Sequence, residues 1–225
     1  MIQLKVAIFD FDGTLYRKET FTLLMNHLKE HSVYGSRYKS FYRSILAPYI
    51  GYKMRVYPEG KMKRELMQRY LRAFSGLTKN ELEEYFAEVA KEMKEDFNKE
   101  VISKLRNHAE KGDYVMIVSG AFTPLLQAAV KEFHTLVDKI IGTEVPLQNG
   151  LLDVHTNIDH VQAERKTEQI YVCLKNKQID WDNSYAYGDS YSDLPVLKIV
   201  GNPVAVCPDD KLKIVANKNK WEIIY

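Results

Sequence analysis

Cysteine is scarce: Cys173 and Cys207 are the only two in 225 residues, both in apolar surroundings with no C-x-x-C or Cys/His spacing. That excludes a disulfide framework or a zinc module as the organising element and predicts buried free thiols in a reducing compartment. No apolar run reaches the length of a membrane span, and the chain opens with one lysine before a strand-length apolar run that ends in aspartates. Neither a signal peptide nor a spanning helix is read there, so a soluble, cytoplasmic protein is expected. Low-complexity and collagen-like tracts are also missing, and with 45% hydrophobic and 28% charged residues the composition is that of an ordinary globular chain. The lack of G-x-x-x-x-G-K-[ST] and of G-x-G-x-x-G sets aside P-loop nucleotide enzymes and dinucleotide oxidoreductases. His27, His31, His108, His134, His155 and His160 show no H-x-x-H and no histidine-plus-carboxylate ligand pattern, so no catalytic role is read for them.

What is present is charge segregation. The formal net charge is only +2, yet residues 16–80 hold 14 Lys and Arg against Glu19, Glu30, Glu59 and Glu65. The remainder is acidic, with 26 carboxylates against 18 basic residues, and two modules are implied. The length suits one sizeable domain or a core with a smaller insertion.

The basic stretch from Thr20 to Phe97 reads as helices only. Leu66, Tyr70 and Phe74 recur every fourth residue, and Leu82, Tyr85, Phe86, Val89, Ala90 and Met93 follow one helical face. Around it the pattern alternates. Strands are predicted at 4–9, 114–118, 137–141, 184–187, 204–207 and 221–224, with a hairpin at Asn149-Gly150. Helices are predicted through Val101 to Leu105, from Pro124, and over 164–174, 194–199 and 211–216. Alternation of this kind predicts an α/β fold: a Rossmann-like parallel sheet with helices on both faces and ligands at the carboxyl ends of the strands. The core would comprise residues 1–15 and 98–225, and residues 16–97 would form an inserted helical-bundle cap that acts as a lid over the first strand.

Four features fall at the strand ends such a sheet would use. Asp10 and Asp12 follow the first strand, Ser119 and Gly120 the second, Lys166 opens a helix, and Asp189 and Asp193 follow a later strand. Phosphoryl transfer needs a nucleophile, a cation against phosphate charge, donors for the non-bridging oxygens and a proton source for the leaving group. Asp10 fits the nucleophile, which becomes an aspartyl phosphate, and Asp12 the acid and then base. Mg²⁺ would be held by Asp10, the Asp12 carbonyl and Asp189, because magnesium takes oxygen ligands and keeps several waters. Ser119, the Gly120 N–H and Lys166 would bind phosphate oxygens, with Thr14 assisting. Asp193 would position Lys166 or a metal-bound water.

Phe9-Asp10-Phe11-Asp12-Gly13-Thr14-Leu15, Val118-Ser119-Gly120, Lys166 and Gly188-Asp189-Ser190-Tyr191-Ser192-Asp193 resemble the four ordered motifs of the haloacid dehalogenase-like hydrolase superfamily. The early helical insertion and the ending around Gly201-Asn202-Pro203-Val204 and Trp221 are similar to its phosphoserine phosphatase-like branch. That resemblance implies a Mg²⁺-dependent phosphomonoesterase with a Rossmann-like core and a four-helix cap, acting on a small anionic phosphate ester. It also implies that Glu19 binds a substrate amino group and that a cap arginine, to be sought among Arg55, Arg64, Arg69 and Arg72, binds a carboxylate. Three positions depart from the branch: Gly13 stands for a common Ser, Ala121 for a second Gly, and Ser192 for an Asn.

Tyr34, Tyr38, Tyr42, Tyr49, Tyr52 and Tyr57 interleave with basic residues in the cap. The four-residue spacing of the first three predicts a partly buried helix stripe rather than a nucleic-acid or membrane surface, and neither partner is expected. The basic lid would instead draw anionic esters towards an acidic site. Two other functions share these residues: a phosphotransferase using the same covalent intermediate, and a binding protein with a vestigial phosphatase site.

Overall fold

The computed structural model describes residues 3–225; residues 1 and 2, where the expected core segment begins, lie outside the described residues. Six strands form one parallel sheet in the order β3-β2-β1-β6-β7-β8, with β1 at Val6–Phe9, β2 at Tyr114–Phe122, β3 at Lys139–Thr143, β6 at Tyr185–Gly188, β7 at Asn202–Val206 and β8 at Glu222–Ile224. The chain fills one side of β1 and then the other, so β1 and β6 flank the point where strand order reverses. In open parallel sheets that crevice is where ligands bind. A two-stranded hairpin, β4 (Leu147–Gln148) and β5 (Leu151–Leu152), turns through Asn149 and Gly150 at φ 53° and 79°. Both positive φ values are what a two-residue hairpin turn requires.

Alternation within β1 sorts the core. Ala7 and Phe9 face one side with Val101 and Leu105 of α5 (Lys99–Glu110) and Leu125 of α6 (Thr123–Ala129). Val6 and Ile8 face the other, with Ile170 of α7 (Glu164–Leu174), Leu197 of α8 (Leu194–Leu197) and Leu212 of α9 (Asp210–Asn219). Helices therefore cover both faces, which is why the strands read as unbroken apolar runs.

Between β1 and α5 stand α1 (Thr20–Glu30), α2 (Tyr38–Lys53), α3 (Glu59–Arg72) and α4 (Lys79–Lys91), the inserted helical cap. Thr78 starts α4 with a reciprocal capping box: its hydroxyl accepts from the Glu81 N–H while the Glu81 carboxylate accepts from the Thr78 N–H at 2.8 Å. The cap shares one apolar cluster with the sheet, since Phe122 of β2 lies 5.6 Å from Phe86 and 6.3 Å from Tyr70 between ring centres.

Several expectations are corrected. Leu4 is outside β1 and makes only an isolated bridge to Ile179. Strand β2 runs on through Ser119 and Gly120 to Phe122, with a register shift after Val118, so those two residues lie in a bulged strand rather than just beyond its end. Cys207 is exposed and Cys173 half-buried. Tyr34 precedes α2 and packs on His31 and Phe74, while Tyr42 is 47% exposed, so the three tyrosines do not form one stripe. No helix among the described residues is long and apolar enough to cross a membrane.

Candidate active site

The turn after β1 sets the site. Phe11 folds back into the core, leaving Asp10 and Asp12 on the wall of a cavity of about 280 Å³ between sheet and cap. Gly13 sits at φ +73°, where glycine is favoured, and a Cβ there would fall 2.3 Å from Asp189 Oδ2, so a side chain would have to displace that carboxylate.

Lys166, buried in the first turn of α7, donates from Nζ to Asp10 Oδ1 and to Asp193 Oδ1, each at 2.7 Å. Asp193 is itself fixed by Ser190, whose N–H and hydroxyl donate to Oδ2 at 3.3 and 3.1 Å. The Asp12 carboxylate accepts from the Thr20 N–H at 3.0 Å and the Thr20 hydroxyl at 2.9 Å, which pins it against the start of α1. Ser119 Oγ accepts the Ala121 N–H at 3.1 Å inside the β2 bulge. Asp10, Asp12, Glu19, Ser119, Gly120, Lys166, Asp189 and Asp193 all line this one cavity. Thr14 does not: it is fully buried, and its Oγ1 has no partner.

Crowding of carboxylates dominates the electrostatics. Burial, then Glu19 and Asp10, push the Asp12 carboxyl up to about 8, against its Thr20 bonds. Burial and neighbouring aspartates also raise Asp10 and Asp189. Burial works against the Lys166 ammonium, but Asp10 and Asp193 outweigh it and raise its pKa, so this lysine stays charged. Carboxylate oxygens of Asp10, Asp189 and Asp193 approach within 4.8 Å of one another. Such a cluster of hard oxygen donors fits a divalent cation of the magnesium type, which would relieve the repulsion.

His160, to which the sequence reading gave no role, stands in the same cavity. Its Nε2 lies 2.9 Å from where a Gly120 Cβ would be, and burial, then Lys63, Lys166 and Arg64, lower its pKa to about 4. Nothing in its sequence neighbourhood marks it: the segment from 153 to 163 has no periodicity. A histidine-carboxylate pattern was also missed, because it joins two helices. His27 Nδ1 and Glu92 Oε1 are 2.5 Å apart, and His31 Nε2 and Glu88 Oε2 3.2 Å. Since His31 Nδ1 accepts from the N–H groups of Val33 and Tyr34, its proton sits on Nε2 and points to Glu88. The group is a hydrogen-bonded brace between α1 and α4.

No cap arginine reaches the cavity. Arg69 pairs with Glu65 at 2.9 Å and donates to the Ser44 carbonyl, and Arg72 shares its separate crevice. Arg64 faces an adjoining open groove, and Arg55 lies in an exposed turn at φ 60°.

A parallel sheet that gathers carboxylates and a buried lysine at its strand ends, roofed by an inserted helical bundle, is a Rossmann-like α/β fold with a cap over its site. The family model described as haloacid dehalogenase-like hydrolase matches residues 7–198, and the chain belongs to that family. A phosphoserine phosphatase of Mycobacterium tuberculosis is 26% identical over 116 residues, a match spanning 52% of this chain and 37% of that protein. The chain thus spans little more than a third of the first curated relatives it matches. Among solved structures, a Bordetella pertussis protein of unknown function superposes with a TM-score of 0.81 at 18% identity, covering 100% of this chain and 99% of that one. A substrate-bound phosphoserine phosphatase complex gives 0.63 at 18% identity, covering 100% and 94%. These likenesses establish the fold.

Proposed function

We propose that this protein is a phosphatase that hydrolyses a small phosphate monoester through an aspartyl phosphate on Asp10. One observation carries the reading: Asp10, bonded to the buried Lys166, and Asp12, pinned by Thr20, face the same cavity from one turn. Asp10 attacks phosphorus and the ester oxygen departs. Asp12 gives that oxygen a proton, then takes one from the water that cleaves the acyl phosphate. Lys166 neutralises charge on the phosphoryl oxygens, and Ser119 with the Gly120 N–H binds another. Asp193 holds Lys166 in place. Asp10, the Asp12 carbonyl and Asp189 would hold Mg²⁺, which supplies charge neutralisation at the phosphate. In this reading residues 1–15 and 98–225 form the catalytic core and 16–97 the cap, and the protein works in the cytoplasm.

The test is phosphate release with Mg²⁺ across simple monoesters, with Asp10→Asn alongside. Asp10→Asn is expected to lose at least about a thousandfold in kcat, since covalent attack has no substitute there, while its circular dichroism stays that of the parent. Near-parental turnover by the variant would remove the nucleophile assignment, and activity unaffected by chelation would remove the metal.

A further inference from the structure

We infer that the alcohol released by this enzyme carries no carboxylate and packs an apolar body against the cap, which separates it from phosphoserine; the inference rests on the phosphatase reading above. Asp12, the proton source for the leaving oxygen, is bonded to Thr20 at the first residue of α1. The ester oxygen must therefore sit on the α1 side of the cavity, with the rest of the alcohol beyond it. The wall there is Phe21, Leu24, Met62, Leu66 and Met67, from α1 and α3.

Charge on that side points the same way. Five carboxylates line the cavity, those of Asp10, Asp12, Glu19, Asp189 and Asp193, against two lysines. Lys166 is taken up by Asp10 and Asp193. Lys63, the one cap cation on the wall, pairs with Glu59 at 3.0 Å and lies in the field of Glu19 and Asp189. A carboxylate on the alcohol would meet Glu19 and an aliphatic wall whose one cation, Lys63, is shared with Glu59, and a like-charge juxtaposition with Glu19 costs several kcal/mol. An apolar body gains by displacing water from the partly exposed Phe21 and Leu66, with Leu24, Met62 and Met67 already buried behind them. Lys61, Arg64 and Lys211 line the adjoining groove with Glu59, Asp209 and Asp210 and are not on the cavity wall.

The experiment compares kcat/KM within two pairs that differ by one carboxylate: O-phosphoethanolamine with O-phosphoserine, and phenyl phosphate with 3-carboxyphenyl phosphate, all with Mg²⁺. The carboxylate-free member is expected to be at least about tenfold better in each pair. Leu66→Arg, which places a cation on the wall, is expected to narrow both gaps. Equal or reversed preference in either pair overturns the inference, as does a Leu66→Arg protein of native circular dichroism whose gaps are unchanged. No release from any of the four esters is a different result, because it overturns the phosphatase reading itself.

Discussion

His160 is a half-buried imidazole that loses solvation in the cavity and sits beside Lys63, Lys166 and Arg64, which oppose its protonation more than Asp159 favours it. In the unfolded chain it titrates near 6.5 and in the folded protein near 4, so between these values the unfolded state binds more protons. Stability is therefore fully present above pH 6.5 and falls as the pH drops towards 4, by up to ~3 kcal/mol from this group. His160→Gln, which cannot take up the proton, is expected to flatten that slope. Urea unfolding at intervals between pH 7 and 4.5 measures it, and parallel slopes for parent and variant would show that some other group carries the acid sensitivity. The same residue marks what spacing could not reveal. Asp10, Asp12, Lys166 and Asp189 are legible because each sits where a strand or helix pattern begins or ends. His160 reaches Gly120 from a segment with no pattern at all.

Elements were legible to the degree that their signal is local. The buried parallel strands announce themselves as apolar runs, and α7 is read with its observed bounds of Glu164 and Leu174. Strand β2 was cut short because Ser119 and Gly120 look like a turn, whereas the bulge that keeps them in the sheet depends on β3 beside it. The segment from 153 to 158 is likewise tied down from afar. Gln68 of α3 accepts the Ile158 N–H at 2.8 Å and donates to the Thr156 carbonyl at 3.3 Å, some ninety residues away in sequence. Gln68 is 5% exposed, so its removal leaves the buried Ile158 N–H without a partner. Gln68→Ala is expected to destabilise the protein by about 1–3 kcal/mol and to speed amide exchange at Ile158 before that of the β1 amides. Unchanged exchange at Ile158 would mean that the loop is held by its packing alone.

At the scale of the whole molecule, an insertion after the first strand suggests a lid free to swing, and the packing argues otherwise. Phe122 of β2 reaches up to Tyr70 and Phe86, and the hairpin crosses to the cap as well: the Leu152 N–H donates to the Leu77 carbonyl, and the Lys79 N–H to the Gly150 carbonyl, each at 2.9 Å. Swinging the cap as a rigid body would expose that aromatic cluster, and apolar surface costs about 25 cal/mol per Å² to return to water. The charge division between the modules does not separate them, since it lies on their surfaces: on the proposed phosphatase reading, a basic cap over an acidic floor would draw a phosphate ester inward without loosening the core. Calorimetry tests the point. A shared core predicts one cooperative unfolding transition whose calorimetric and van't Hoff enthalpies agree. An earlier transition confined to the helices of residues 20–91 would show that cap and sheet fold apart and would restore the hinged lid.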